Sequence, residues 1–258
     1  LVQDQARTAD TVALYDEFFQ KYAESSNRAK AAVVALPALE KSKRLPDALK
    51  RLEIIIAGFG NNVEAVGLED CIVSYTNNAE KAGMTLEQLR ERMYSFPGLP
   101  PDAEIAKARL RMALIDVYEK KIKEEKNDEI RNSLKGQIEG LFSQLKKDFD
   151  PAKMPNYSLV RIGDHLMKSG NAVQAKDYFS QVLKNDDVAF RDKAQFNLAV
   201  ILGESEAAAD RDQSIALLDK LLADFASDRI LSEKVVRQKA IIYELGGQWE
   251  KVSETCRT

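Results

Sequence analysis

The sequence predicts an all-α fold, a superhelical solenoid of stacked antiparallel helix pairs. Apolar residues recur at spacings of three and four over nearly the whole chain, whereas the strict alternation of a half-buried strand is scarce. Short turn signals interrupt this periodicity often enough to delimit about thirteen helices. A helix, a short turn and a second helix, repeated along the chain, indicate hairpins that stack side by side.

The composition is that of a folded chain without a strong charge of either sign. Of 258 residues, 45% are hydrophobic and 31% are charged, with only 12 glycines and 7 prolines. This balance is too apolar for general disorder. Lys and Arg total 38 against 41 Asp and Glu, and the two signs are interspersed. Nucleic acid is therefore not expected as the main partner, because no extended positive surface is predicted to bind its phosphates.

Several caps and turns can be assigned to individual residues. Thr85 with Gln88 fits a capping box that opens a helix extending to about Phe96. Asp102 is predicted to cap a helix that begins near Ala103. The clearest breaks between helices lie at residues 58–62, 95–102, 150–151, 168–171 and 246–248.

A motif recurs in the second helix of the predicted pairs. A small or aliphatic residue is followed by a large apolar residue four positions later, and by another three positions after that. From Ile138 onward the copies begin at regular intervals of 37 to 39 residues, which is slightly longer than a 34-residue helical repeat. The copies are Ala48-Leu52-Ile55, Ile138-Phe142-Leu145, Ala175-Phe179-Val182 and Ser214-Leu218-Leu221, and Val252 opens a fifth.

One of these units resembles a tetratricopeptide repeat over its whole length. Residues 156–187 read NYSLVRIGDHLMKSGNAVQAKDYFSQVLKNDD. Gly163 lacks a side chain and so would let two helices approach closely, and Gly170 can adopt the positive φ that ends a helix. Asp187 departs from the family, which usually has proline there. The matching residues are Leu159, Ile162, Gly163 and Leu166 in the first helix, Gly170 in the turn, and Ala175, Phe179 and Val182 in the second helix.

The resemblance divides the chain into three parts. Residues 1–26 are interpreted as a half repeat consisting of a lone second helix, 27–150 as divergent helical-hairpin repeats, and 151–258 as tetratricopeptide-like repeats of which the last is truncated. Because both ends fall inside repeats, we expect a longer parent protein. The aromatic pattern of residues 15–22 resembles bacterial envelope members of the family. It favours the bacterial periplasm or envelope, with the cytoplasm as the alternative.

No pattern in the sequence predicts catalysis, a metal or another cofactor. His165 is the only histidine, and no nucleophile or co-ligand accompanies it. Cys71 and Cys256 lie far apart, so neither a disulfide framework nor a zinc site is predicted, and Cys71 is expected to be buried. The sequon at residues 156–158 is discounted because such patterns are frequent and this one begins a helix. No apolar run approaches the roughly 18 residues that span a bilayer.

The resemblance implies a non-catalytic protein–protein interaction scaffold. In the family, first helices line a concave groove, and a partner peptide or helix binds there with a small ordering cost. Tyr157 and Phe196 are the expected anchors, because buried aromatic side chains dominate interface energetics. The groove candidates are Tyr157, Val160, Asp164, Met167, Lys193, Phe196, Val200, Lys234, Arg237 and Glu244.

Two other functions stay open. The repeats could form the partner- or substrate-binding arm of a larger enzyme whose catalytic module lies outside this fragment. A nucleic-acid-binding repeat protein would need a basic groove and matched polar pairs, which the sequence does not offer. The carboxylate clamp with which some family members bind chaperone tails is disfavoured, because Val160 and Asp164 occupy two of its positions. The expected partner is another protein or peptide, and the oligomeric state is not specified.

Overall fold

A computed structural model describes residues 2–22, 25, 27–59 and 67–257, with the backbone alone for residues 2–7. Over these ranges the chain forms thirteen α-helices and one 3₁₀ turn, and it contains no β-strand. The chain divides into two compact units, Leu1–Phe149 and Asp150–Thr258. The predicted all-α fold is confirmed.

In the first unit, most helices that follow one another in sequence pack together, and some also contact the helix after next. Consecutive helices α1 to α4 pack against one another, α6 packs against α7, and α4 additionally contacts both α2 and α6. The short helix α5 packs on α6 and interrupts the regular pairing. The helices are α1 (Val2–Lys21), α2 (Arg28–Lys41), α3 (Leu45–Phe59), α4 (Leu68–Ala79), α5 (Leu86–Tyr94), α6 (Glu104–Glu124) and α7 (Asp128–Asp148).

The second unit is a stack of three hairpins. The pairs α8/α9, α10/α11 and α12/α13 each pack internally, and short turns make their helices antiparallel. Helix α10 packs on α8 and α9, and α12 packs on α10 and α11. The predicted stacking of antiparallel pairs is therefore confirmed. After a 3₁₀ turn at Pro151–Lys153, the helices are α8 (Asn156–Lys168), α9 (Ala172–Lys184), α10 (Arg191–Gly203), α11 (Ala208–Asp224), α12 (Arg229–Leu245) and α13 (Trp249–Thr255).

The recurring motif marks the core face of four helices. All twelve side chains of the complete copies, on α3, α7, α9 and α11, are buried. The spacing of four and then three residues places them on one side of each helix, where the neighbouring helices cover them. The sequence periodicity therefore located the buried side of these helices correctly.

Gly163 on α8 faces the Phe179 ring on α9. A Cβ atom built on Gly163 would lie 2.6 Å from Cε1 of Phe179 on α9, closer than real Cβ contacts come. The ring thus occupies the space that a side chain would take. Gly170 has a φ of +77°, and its N–H donates to the carbonyl of Met167 at 3.0 Å. Both glycine predictions are confirmed.

The predicted caps have different outcomes. The capping box is confirmed, because the Gln88 N–H donates to Thr85 Oγ1 at 3.2 Å and the Thr85 N–H donates to Gln88 Oε1 at 2.8 Å. The prediction for Asp102 is wrong. Its backbone carbonyl accepts from the Glu104 N–H at 2.8 Å, and Ala103 holds the N-cap position of α6. The preceding turn closes one residue later than expected, since the Ala103 N–H donates back to the Pro100 carbonyl.

Replacing Gly163 with alanine should destabilise the second unit by about 1–3 kcal/mol, because the added methyl group meets the Phe179 ring. Urea denaturation followed by circular dichroism would measure the free energy of unfolding. Gly140→Ala is the matched control, since Gly140 lies inside α7 with open space around it. That variant should gain about 0.5–1 kcal/mol from helix propensity. Equal effects of the two substitutions would contradict the close approach of α8 and α9.

Candidate protein-binding surface

The first helices of the second unit form a continuous row that carries the ten predicted groove residues. Asp164 on α8 accepts hydrogen bonds from Lys193 Nζ at 2.5 Å and from Asn197 Nδ2 at 2.7 Å, both on α10. Asp164 and Lys193 are thus brought together as a partly exposed ion pair. Such pairs stabilise a protein by about 1 kcal/mol at most, so this one mainly orients the two helices.

The two expected aromatic anchors are both half-buried. The Tyr157 ring lies 5.6 Å from the Phe190 ring, and the Arg161 guanidinium lies 5.9 Å from the Tyr157 centroid. Phe196 packs against a buried cluster formed by α10, α11 and α12. Each ring is therefore already engaged within the unit over part of its surface.

The remaining row residues differ in exposure. Val160 is only 1% exposed, so a partner cannot reach it. The prediction that Val160 contacts a partner is therefore wrong. Periodicity placed it on the row but could not show that it is covered. Met167 and Val200 are half-buried. Contact of the other nine residues with a partner stays a prediction. The exposed members are Lys193, Lys234, Arg237 and Glu244.

An open groove of about 700 Å³ lies between α12 and α13. We call it the α12–α13 groove. Arg237 and Glu244, two of the predicted residues, contribute to it, whereas its apolar lining was not predicted. The Arg229 and Glu233 side chains at its edge form an ion pair of 2.9 Å. The lining consists of Arg229, Ser232, Glu233, Val236, Arg237, Ala240, Ile241, Glu244, Val252 and Cys256.

Three large apolar side chains of α12 and α13 are exposed. Ile241, Leu245 and Trp249 are 40%, 59% and 63% exposed. Ile241 and Leu245 are one helical turn apart on α12, and Trp249 lies one turn before Val252 on α13. Clustered exposed apolar side chains of this kind mark interaction sites on soluble proteins.

Asn156, the acceptor of the discounted sequon, has a structural role. It is buried, and its Nδ2 donates to the carbonyls of Asp187 and Ala189, both at 2.9 Å. Its Oδ1 accepts from Asn185 Nδ2 at 2.8 Å. These bonds tie the start of α8 to the loop before α10, which leaves the amide of Asn156 inaccessible for glycosylation.

Two titratable side chains of the first unit are buried and have raised pKa values. No three His, Cys, Asp or Glu side chains in the described ranges could jointly hold a metal ion. Cys71 is fully buried, and burial raises the pKa of its thiol to about 12. Tyr75 donates to Glu53 Oε1 at 2.6 Å, and burial together with that carboxylate raises the pKa of its hydroxyl. Both groups join helices of the first unit.

A bilayer-spanning helix is also not found among the residues described, since none of their helices is both long and apolar enough.

Comparisons with known proteins add little to this geometry. No family model matches the chain, and no curated protein matches it. Among solved structures, it is similar to a crystal structure of nearly identical TPR-like repeats from a candidate kinesin light chain of Podospora anserina. The identity is 13%, the match covers 91% of this chain and 94% of that chain, and the TM-score is 0.34. So low a score carries no argument, and the fold assignment depends on the helix packing described above.

The two cysteines should differ widely in reactivity. Cys256 is exposed on the α12–α13 groove, whereas Cys71 is buried and has a raised pKa. Because the thiolate is the reacting form, a thiol reagent at pH 8 should label Cys256 rapidly and Cys71 only on unfolding. Mass spectrometry of labelled peptides over time would measure both rates. Comparable rates would show that α4 opens far more readily than its packing indicates.

Phe196→Ala should destabilise the second unit by about 1–3 kcal/mol, because Phe196 packs on the core cluster while keeping part of its ring exposed. The sequence alone predicted that this change would weaken partner binding and leave stability nearly unchanged. Thermal and urea unfolding would separate the two expectations. If the variant unfolds at the same temperature and urea concentration as the parent protein, Phe196 contributes little to the core and remains a candidate anchor for a partner.

Proposed function

We propose that this chain is a non-catalytic protein–protein interaction scaffold that binds its partner at the α12–α13 end of the second unit. The observation that carries the proposal is the α12–α13 groove, which is open and largely apolar, with Val236, Ala240, Ile241 and Val252 in its lining. Covering apolar surface of this kind contributes about 25 cal/mol per Å² removed from water. The groove therefore offers a partner more apolar surface than the row of first helices, whose exposed members are all charged.

The arrangement of charges supports the same function. Among the lining residues, the apolar Val236, Ala240 and Val252 are half-buried, whereas the charged Arg237 and Glu244 are exposed. An apolar centre with a charged rim is the usual anatomy of a protein–protein interface. We propose that the partner extends from this groove along the row toward Lys234 and Lys193.

The secondary structure supports a preformed site. Every residue that lines the groove, except Cys256 at the C-cap of α13, lies within α12 or α13. Helical backbone is already ordered, so a partner does not have to order a loop in order to bind. Rigid presentation of side chains is what a scaffold requires.

Ile241→Glu should weaken partner binding about 10- to 100-fold, because it places a charge in an apolar contact. Ile241 is 40% exposed, so the fold should tolerate the change. Val173→Glu on α9 is the matched control, since Val173 is 81% exposed and lies outside the groove.

The experiment begins with affinity capture from a lysate of the source organism, using the parent chain and both variants as baits. Quantitative mass spectrometry should identify a protein that Ile241→Glu loses and Val173→Glu retains. Titration of that purified protein by calorimetry would then give the dissociation constants. Equal affinity for both variants would contradict the proposed location.

A further inference from the structure

Independently of the α12–α13 groove, we infer that the second unit has another interaction surface, which binds a segment of a separate protein that combines apolar residues with Lys or Arg. It lies on the edge of the unit that carries the turns between successive hairpins. We call this surface the turn edge. It is defined by four exposed apolar side chains at the α9–α10 and α11–α12 turns: Val188, Phe190, Phe225 and Ile230.

The two turns lie at the same ends of the stacked helices. Each connects a second helix to the next first helix, and paired helices are antiparallel, so both turns lie where the first helices of the stack begin. For the α9–α10 turn the contacts show this directly, because Asn156 at the start of α8 donates to the carbonyls of Asp187 and Ala189. The apolar side chains of both turns are therefore presented on one edge of the unit.

Stacking of hairpins leaves this edge uncovered. The α9–α10 turn joins the first hairpin to the second, and a third hairpin follows. Even so, Val188 is 74% exposed and Phe190 is 42% exposed. Hairpins stack through the sides of their helices, whereas the turns lie at the helix ends. Further repeats added to either end of the stack would leave the turn edge open for the same reason.

Phe190 occupies a backbone conformation that its residue type disfavours. Its φ is +63°, in the left-handed region that bulky side chains rarely adopt and that glycine or asparagine adopts more readily. Such residues cluster at functional sites and persist only where the surrounding structure fixes them. The Tyr157 ring, 5.6 Å away, supports one side of the Phe190 ring. A large ring is thus present where the backbone alone favours a smaller residue, which points to a role for its exposed part.

Hydrogen bonds order both turns before a partner binds. The Ala189 N–H donates to Asp187 Oδ1 at 2.9 Å, in addition to the bonds from Asn156. In the α11–α12 turn, the Leu231 N–H donates to Asp228 Oδ1 at 2.9 Å. A partner therefore does not have to order these segments in order to bind, which lowers the entropic cost of the interface.

The charge on the turn edge selects the chemistry of the partner. Residues 185–190 and 224–228 contain no Lys or Arg. The adjacent arginines are engaged, since Arg191 donates to the Asn185 carbonyl and Arg229 pairs with Glu233 at 2.9 Å. A Lys- or Arg-rich segment complements this charge, whereas anionic lipids and nucleic-acid phosphates are repelled by it. The exposed carboxylates are those of Asp186, Asp187, Asp224 and Asp228.

The test selects a random peptide library displayed on phage against the whole chain, and counter-selects it against the chain with Val188→Ser and Phe190→Asn. The double variant should keep its fold, because Val188 is exposed and asparagine tolerates the left-handed conformation. Circular dichroism and thermal unfolding would check this. Peptides enriched only on the parent chain should carry Lys or Arg beside apolar residues.

An enriched peptide would then be synthesised with a fluorescent label and titrated by fluorescence anisotropy. Val188→Ser and Phe190→Asn should each weaken its binding about 5- to 50-fold, because each removes an apolar contact. Asp186→Asn together with Asp224→Asn should weaken it about 2- to 5-fold and reduce its salt dependence, as for exposed charge pairs. Val173→Ser is the matched control that should leave affinity unchanged, since Val173 is also exposed but lies at the start of α9, on the opposite edge.

Several results would overturn the inference. One is an absence of peptides that depend on Val188 and Phe190, and another is enrichment of acidic peptides. A peptide whose affinity falls with Ile241→Glu binds in the α12–α13 groove instead. A dimer of the chain that Phe190→Asn dissociates, or an enriched sequence that occurs elsewhere in the same polypeptide, would replace the separate protein as the occupant. Peptide failure together with partner capture sensitive to Ile241→Glu would retain the proposed function and reject only the turn edge.

Discussion

The distance between the two helices of a pair is limited by a small residue on one helix that faces a large residue on the other. In the α8/α9 hairpin, Gly163 leaves the space that the Phe179 ring fills, and even a methyl group would clash at 2.6 Å. In the next hairpin, Ala199 and Leu218 belong to the same buried cluster. Because this contact determines how closely paired helices lie, it also determines the surface on which the following helix packs.

Hydrogen bonds between α10 and α11, within one hairpin, explain how polar residues occupy core positions. Gln195 stands where the repeat pattern expects a large apolar side chain, yet it is buried and its amide donates to the Leu217 carbonyl at 2.8 Å. Ser214 is fully buried, and its hydroxyl donates to the Ala199 carbonyl at 2.5 Å. Buried polar groups are tolerated when they find such partners. The departures from the repeat pattern are therefore accommodated by hydrogen bonds between neighbouring helices.

The same stacking relates fold to function. Helix α10 packs on the α8/α9 hairpin, and α12 packs on the α10/α11 hairpin. Side chains of these two hairpins that face the added helix are thereby removed from solvent. In the α12–α13 groove, Val236, Ala240 and Val252 are only half-buried and Cys256 is exposed. Binding of the proposed partner at this groove would use the forces that assemble the unit itself, chiefly burial of aliphatic side chains, with charged residues contributing specificity.

By itself, the sequence determined the helical fold, the paired arrangement, the capping box at Thr85 and the close contact at Gly163. These features depend on residues close in sequence or on periodicity, which local propensity and helix geometry specify directly. Only the tertiary structure decided that Val160 is buried, that Phe196 packs on the core and that Val236, Ala240 and Val252 line an open groove. Periodicity shows which face of a helix a residue occupies. Whether that face is covered depends on a helix distant in sequence, and therefore on packing.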